Sequence, residues 1–228
     1  MLKGIAVSGG FAIGKILKLE EKTVEYAPRS RLQAEEELLR FERALAVFTR
    51  RAEQSAGRIR SIAGKAEADI FTGHIYMARD PLIGKEIRRK IALGYSTEMA
   101  MESACDGWIE DFSSARSEIT RQKAADIRDI KSAVLNILAG TEKENKKIPF
   151  GSVVAARELK PSAVLFLDKR RTVAAVCEQG SRRAHFAVLA AAMGIPAVMG
   201  VRALMEHIRD GQRVIVDANK GEIIPIDK

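Results

Sequence analysis

One histidine of the sequence stands in a setting suited to phosphate chemistry, within the stretch GSRRAHFAVLA at residues 180–190. A polar loop of Ser181, Arg182 and Arg183 follows a strand-like apolar run, and His185 then opens a short apolar helix. The first turn of a helix leaves backbone N–H groups unpaired, and these together with the helix dipole favour a bound anion. Guanidinium groups suit phosphate oxygens, and a neutral imidazole nitrogen attacks phosphorus well near pH 7. We therefore expect His185 to accept a phosphoryl group that the polar loop stabilises.

The same histidine also admits a purely structural interpretation. A lone histidine before an apolar helix is more often a capping or packing residue, and neighbouring arginines weaken that interpretation only in part. Residues 180–190 alone leave both interpretations open.

The remaining metal-binding or redox-active residue types show no functional spacing. His74 and His207 have no partner at a ligand-like distance in the sequence, and neither Cys105 nor Cys177 belongs to a CxxC pair. We predict no metal site, reduced cysteines and a buried, apolar role for Cys177.

The composition excludes several classes of function. The net charge is +8, but basic and acidic residues alternate along the chain and aromatic residues are few, which argues against nucleic-acid binding. No apolar run is long enough to cross a membrane, and the N-terminus lacks the features of a signal peptide. We expect a cytoplasmic protein that binds neither nucleic acid nor membranes.

The segments that must position His185 show two kinds of sequence pattern, one typical of strands and one typical of helices. Residues 1–20 favour short strands around Gly9 and Gly10, whereas the region from Ser30, a predicted N-cap, to Gly140 has helical periodicity. Strand-like runs return after residue 148, with one helix ending near Gly194 and a hairpin turn at residues 219–221. The sequence predicts an α/β domain of residues 1–25 and 148–228, interrupted by a helical domain of residues 28–147. Linkers are expected near residues 23–27 and 144–147.

Several segments, in this order, resemble the N-terminal half of Enzyme I, the phosphoenolpyruvate-protein phosphotransferase of the bacterial sugar phosphotransferase system. The segments are GIAVSGGFAIGK (4–15), IFTGHIYMARDP (70–81), AADIRDI (124–130), ELKPSAV (158–164), GIPAVMG (194–200) and VDANKGEIIPI (216–226). The resemblance covers nearly the whole chain. It implies a swivelling α/β phosphohistidine domain with an inserted all-α domain that binds the carrier.

The family's active-site segment reads approximately Gly-Gly-x-Thr-Ser-His-x-Ala-Ile-x-Ala-Arg, which matches the phosphorylated histidine to His185. This chain departs from the pattern close to that residue. Ser181 replaces the second glycine, Arg183 and Ala184 replace the Thr-Ser pair, and Ala191 replaces the late arginine. The family's Thr-Pro-Ser-x-Thr segment appears here as residues 160–164, with Lys160 and Val164 in place of the two threonines.

The resemblance implies phosphoryl transfer from phosphoenolpyruvate through His185 to the carrier protein HPr or a similar protein. The family binds phosphoenolpyruvate and Mg²⁺ on a C-terminal barrel domain that these 228 residues do not include. We therefore expect no cofactor in this chain, a barrel domain acting in cis or in trans, and dimerisation only through that domain. The alternative is a degenerate, non-catalytic relative that serves as a docking or regulatory module.

The resemblance also assigns carrier contacts to the helical domain. The expected contact residues are His74, Tyr76, Met77, Arg79 and Arg128. We predict that Tyr76, Met77 and Arg79 form an exposed, partly apolar face. Two alternatives remain open: His74 as a core or capping residue, and Arg128 as the partner of Asp126 or Asp129 within its own helix.

Overall fold

The computed structural model describes residues 1–19, 24–140, 148–161, 163 and 167–226. The chain divides into two compact units, one formed by Met1–Lys22, Ser61–Glu67 and Asn145–Lys228 and the other by Thr23–Arg60 and Ala68–Glu144. The first unit is built on a mixed β-sheet and the second on helices, and the sequence predicted these two kinds of structure. Residues 61–67 group with the sheet unit, although their periodicity is helical. The predicted linker at residues 144–147 lies outside the described residues.

The strands are β1 (Leu2–Lys3), β2 (Ile5–Ser8), β3 (Phe11–Leu19), β4 (Ser152–Ala156), β5 (Thr172–Cys177), β6 (Ala197–Met199), β7 (Arg213–Asp217) and β8 (Glu222–Pro225). The helices are α1 (Ala34–Ile62), α2 (Lys65–Ala78), α3 (Pro81–Ala92), α4 (Thr97–Ser113), α5 (Glu118–Ala139), α6 (His185–Ala192) and α7 (Leu204–His207).

The eight strands of the described part of the chain form one sheet in the order β1-β8-β7-β3-β4-β5-β6-β2. Strands β3 to β6 run parallel to one another, whereas β7, β8 and the two short N-terminal strands pair antiparallel. Strands β1 and β2 lie at opposite ends of this order, yet only Gly4 separates them in the sequence. The sheet must therefore curl until its two edges nearly meet, as in a barrel.

The concave side of this sheet holds the apolar core of the first unit. Small and β-branched side chains dominate it, as the narrow interior of a curled sheet requires. The buried members are Ala12, Ile16, Val153, Ala155, Ala174, Val176, Val198, Val201, Leu204, Ile208, Val214, Val216, Ala218 and Ile223.

The helical unit is organised around one face of α1. Phe41, Ala44, Phe48 and Ala52 recur at helical spacing and are all buried, and they pack with buried residues of α3, α4 and α5. Three of the helices begin at side-chain caps: Asp80 before α3, Ser96 before α4 and Ser117 before α5. Helix α5 ends at Gly140, as predicted, with φ of 65°.

The first helix begins later than the sequence predicted. Ser30 is not its N-cap, because α1 starts at Ala34. The Ser30 hydroxyl instead accepts a hydrogen bond from the Leu32 amide at 2.9 Å and donates one to Glu37 Oε1 at 2.5 Å. The hydroxyl thus accepts from an amide that precedes the helix, and its hydrogen is directed to the carboxylate of Glu37 in α1.

Among the described residues, none of the helices combines the length and apolarity that a membrane crossing requires.

Candidate functional site

His185 is the first residue of α6, where the sequence predicted a helix to begin. Its side chain is partly exposed. The residue before it, Ala184, makes no side-chain hydrogen bond to the first turn, so no side chain at the N-cap position satisfies the free amides there. The imidazole therefore lies at the positive end of a helix whose N-terminus has no side-chain cap.

The loop before His185 has a defined backbone geometry. Gly180 has φ of 118°, and a Cβ atom at this position would lie 2.3 Å from the Met199 methyl carbon, so the sharp turn after β5 requires glycine. The Ser181 hydroxyl accepts a hydrogen bond from the Arg183 amide at 3.3 Å, and the Ser181 carbonyl accepts one from the Ala184 amide at 3.1 Å. Ser181 thus shapes the loop through two local hydrogen bonds.

Arg182 and Arg183 are both exposed at the surface of this loop. Arg182 Nε donates a hydrogen bond to the carbonyl of Ala6 in β2 at 3.1 Å. Sequence reasoning missed this contact, because its partners are 176 residues apart and the sequence carries no local signal for it.

Helix α6 is held in place by its apolar side. Phe186, Leu189 and Ala190 are almost completely buried, and the helix packs against β2 and β6. Ala191, which stands where the family has an arginine, is exposed. The buried side of the helix therefore fixes the position of His185, and residue 191 offers no polar side chain near it.

The second segment expected near the histidine is described only in part. Pro161 is buried, and the Ala163 amide donates to the Lys160 carbonyl at 2.9 Å, forming a tight turn. Position 164, where valine replaces a family threonine, lies outside the described residues.

Cys177 ends β5 and is completely buried, as predicted. Burial raises the pKa of its thiol to about 12, so the nucleophilic thiolate is essentially absent at neutral pH. Burial raises the pKa of Cys105 to about 12 as well. Neither thiol competes with His185 as a nucleophile.

His74 differs from the surface position that a direct partner contact requires. The residue is only 4% exposed. Its Nε2 atom lies 3.3 Å from Asp126 Oδ1, and its Nδ1 atom lies 4.0 Å from Asp129 Oδ2. Asp126 and Asp129 are three residues apart on α5 and so share one helix face. That spacing was the available sequence signal, and it favours the interpretation of His74 as an interior residue.

The face predicted from Tyr76, Met77 and Arg79 is exposed in part. Tyr76 is 76% exposed and Arg79 is exposed, with its Nε donating to Thr49 Oγ1 at 3.2 Å. Met77 is only partly exposed, because it packs against the helical core. Tyr76 and Arg79 therefore lie where a partner has access to them.

Arg128 is partly buried and donates through Nη2 to Ser113 Oγ at 3.3 Å. This bond connects α5 to the end of α4. The contact favours a role in packing of the helical unit, although its partner is a serine rather than the predicted aspartates.

Two family models match the chain. Residues 3–123 match the N-terminal model of PEP-utilising enzymes, and residues 148–221 match the mobile-domain model of PEP-utilising enzymes. The phosphoenolpyruvate-protein phosphotransferase of Priestia megaterium is 33% identical over 225 residues, covering 98% of this chain and 39% of the relative. The protein of the same name from Bacillus subtilis (strain 168) is 31% identical, covering 98% and 40%. The chain thus spans about two fifths of the length of these curated relatives.

Solved structures show the same fold. A solution NMR structure of Enzyme I (nEIt) superimposes with a TM-score of 0.75 at 27% identity, covering 100% of this chain and 94% of that one. An N-terminal domain of Enzyme 1 - Nitrogen superimposes with a TM-score of 0.67 at 22% identity, which shows the fold alone; it covers 99% of this chain and 93% of that one. The predicted fold class, an α/β part with an inserted helical part, is confirmed.

Proposed function

The chain belongs to the family of PEP-utilising enzymes, as a relative of the N-terminal part of Enzyme I, and from that premise we propose that His185 accepts a phosphoryl group and passes it to an HPr-type carrier protein. The observation that carries the proposal is the position of His185. It is a partly exposed imidazole at the first residue of α6, directly after a loop with two exposed arginines.

The proposed step is an exchange of one bond to phosphorus for another. The unprotonated ring nitrogen of His185 attacks the phosphorus, forming a P–N bond while the bond between phosphorus and its donor breaks. The donor keeps the electron pair of the broken bond. Transfer to the carrier repeats the exchange, with a carrier histidine as the attacking group.

The surroundings of His185 favour this step electrostatically. The phosphoryl group carries negative charge throughout the transfer, and the positive end of α6, which no N-cap side chain satisfies, attracts such charge. Arg182 and Arg183 supply fixed positive charge within the same loop. Ser181 contributes by shaping the loop backbone.

The altered loop lowers the expected rate. An efficient phosphoryl acceptor holds one ring nitrogen by a hydrogen-bond acceptor and leaves the other available. Ala184 and Ala191 have no side-chain acceptor, and arginine donates hydrogen bonds but accepts none. Loss of one such contact typically lowers a rate on the order of 10²-fold. We expect slower transfer than in relatives with the hydroxyl-bearing loop.

The origin of the phosphoryl group is part of the proposal. The relatives are named for phosphoenolpyruvate, and the matched segment covers about two fifths of their length. We propose that phosphoenolpyruvate is used on a further domain, supplied in cis or in trans. The carrier is proposed to dock on the helical unit at the exposed face of Tyr76 and Arg79.

The test is to incubate the chain with HPr carrying a labelled phosphohistidine. The proposal predicts an acid-labile label on the chain that the His185→Ala variant abolishes, while His207→Ala, a change at an exposed histidine, retains it. Label that persists in His185→Ala would mean that another residue is the acceptor. A folded wild-type chain that takes no label would favour the alternative, a non-catalytic docking or regulatory module. The apolar residues at positions 184 and 191 are the observation that keeps that alternative in view.

A further inference from the structure

The loop before His185 is joined to a distant part of the sheet by one side chain. Arg182 Nε donates to the Ala6 carbonyl at 3.1 Å, across 176 residues of sequence. The guanidinium group makes no ion pair with any of the residues that the structure describes, so this hydrogen bond accounts for its orientation.

The acceptor of this bond lies at a specific place in the sheet. Strand β2 is the last strand of the sheet order, and it pairs with β6 through Ile5 with Met199 and Ala6 with Val198. The register then shifts between Ala6 and Ser8. An edge strand at an irregularity has carbonyl groups that the ladder does not use, and such groups need another donor.

Three contacts then fix the loop from different sides. Gly180 fits closely over Met199 on β6, Ser181 closes the turn through the Ala184 amide, and Arg182 holds the outer part of the loop to β2. The following residues of α6 pack on the same two strands. His185 is only three residues beyond Arg182. A loop fixed in this way therefore also fixes the position of the His185 backbone, from which the imidazole side chain extends.

We propose that Arg182 is a positioning residue for the phosphoryl transfer assigned to His185, acting through its hydrogen bond to the Ala6 carbonyl. This inference rests on the proposed function. Because Nε is engaged, the plane of the guanidinium is set, and its terminal N–H groups remain for phosphoryl oxygens. The hydrogen bond to the edge strand thus fixes the loop and the guanidinium group, and it does not replace a hydrogen-bond acceptor for the imidazole ring.

Lysine cannot replace arginine in this role. Its ammonium group is a single point charge, so it either reaches the Ala6 carbonyl or faces the phosphoryl group. The positioning role therefore predicts that Arg182→Lys, which keeps the charge, does not restore the rate. A role of general positive charge predicts that it does.

The test compares Arg182→Gln and Arg182→Lys with Arg170→Gln, a matched loss of charge at an exposed arginine on the turn before β5, at the other end of that strand from the loop. Transfer from HPr phosphorylated on histidine is followed over a range of carrier concentrations. We expect both Arg182 variants to lower the saturating rate by about tenfold or more, with the half-saturating concentration changed by less than about threefold. Arg170→Gln is expected to lower the saturating rate by less than about threefold.

Two controls separate positioning from loss of structure. Thermal unfolding should differ little among the three variants, because Arg182 is exposed and only one surface contact is lost. In ¹H–¹⁵N spectra, Arg182→Gln should shift the amide signals of residues 5–8, whereas Arg170→Gln should not. Unshifted β2 signals in Arg182→Gln would overturn the inference, as would a wild-type saturating rate in Arg182→Lys.

Failure of the proposed function is distinguishable from failure of this inference. If wild-type chain takes no label from phosphorylated HPr, the proposed function fails, and with it the reaction that Arg182 would support. If the wild-type chain is labelled, His185→Ala is not, and Arg182→Gln is labelled at the wild-type rate, then only the positioning role is wrong.

Discussion

Thr172, at the start of β5, carries an unusual polar atom for a core residue. The residue is 1% exposed, and its Oγ1 is buried without a hydrogen-bond partner among the described residues. Its backbone is well satisfied, since the amide donates to the Asp168 carbonyl at 2.7 Å. A buried hydroxyl without a partner has lost its hydration and gained nothing in exchange. The Thr172 hydroxyl thus lowers the free energy of unfolding of the sheet unit.

Replacement of Thr172 by valine should raise the free energy of unfolding by about 1 kcal/mol, because a methyl group replaces the unpaired hydroxyl at similar volume. Urea unfolding monitored by circular dichroism measures the change. Thr97→Val is the matched control: Thr97 is completely buried, but its hydroxyl donates to Glu37 Oε2 at 2.5 Å. The control should lower stability by about 1–3 kcal/mol. Equal destabilisation by both substitutions would contradict the assignment of Thr172.

Some features of individual residues in the candidate site were predictable from the sequence, and others were not. The placement of His185 at a helix start was predictable, because a strand, a glycine, a polar loop and an apolar helix are local signals. The Arg182–Ala6 hydrogen bond was not, since its partners are 176 residues apart in the sequence. The burial of His74 was predictable only in part. The signal was the three-residue spacing of Asp126 and Asp129 on α5, which places both carboxylates on one helix face near His74.

The ends of helices α1 and α4 are held together by a polar network. Glu37, which is 2% exposed, accepts hydrogen bonds from Ser30 and from the hydroxyl and amide of Thr97. Arg40 forms ion pairs with Glu37 and with Glu98. Burial by itself raises the pKa of Glu37, but the hydrogen bonds and the Arg40 charge outweigh burial and leave the pKa below its usual value. The ionised carboxylate is therefore the form that stabilises the helical unit.

This network makes the stability of the helical unit dependent on pH. Because the pKa of Glu37 is lower in the folded than in the unfolded state, its contribution is complete above the unfolded pKa and is lost as the pH falls toward the folded pKa. Glu37→Gln should lower the free energy of unfolding by about 1–3 kcal/mol at pH 7. The difference from wild type should shrink at about pH 3, which is below the unfolded pKa of glutamate of about 4.3.

Urea unfolding at the two pH values measures this dependence. Glu42→Gln is the control, because the Glu42–Arg88 ion pair is half exposed and should contribute less than about 1 kcal/mol. A Glu37→Gln variant whose deficit is the same at both pH values would show that the carboxylate charge is not the stabilising form.

The strands around Gly9 and Gly10 illustrate why elements are easier to predict than their partners. The sequence predicted two short strands there, and β2 and β3 flank the glycines. They do not pair with each other, however: β2 pairs with β6, and β3 lies between β4 and β7. A hydrophobic pattern specifies which residues are extended but not which neighbour they pair with, so the curled sheet had no local signal.

At the scale of the whole molecule, the proposed function requires a surface for the carrier as well as an acceptor. Tyr76 combines an apolar ring with 76% exposure, and Arg79 is exposed near the end of the same helix. Exposed aromatic and arginine side chains are the types that most often dominate the energetics of an interface.

Tyr76→Ala and Arg79→Ala should each weaken binding of an HPr-type carrier by about tenfold or more, as loss of an interface anchor typically does. Isothermal titration of the unphosphorylated carrier into each variant measures the dissociation constant. Arg116→Ala removes an exposed arginine elsewhere in the helical unit and should change the affinity by less than about threefold. Equal effects from all three substitutions would contradict docking at the Tyr76 face.

The most direct test of the central claim is to locate the phosphoryl group within the chain after transfer. The three histidines fall in three different tryptic peptides, 66–79 for His74, 184–202 for His185 and 203–209 for His207. The chain is labelled by phosphorylated HPr, digested at neutral to mildly alkaline pH to preserve the P–N bond, and analysed by mass spectrometry. Our account predicts that peptide 184–202 alone gains the mass of one phosphoryl group. The same gain on peptide 66–79 or 203–209, with peptide 184–202 unmodified, would contradict it.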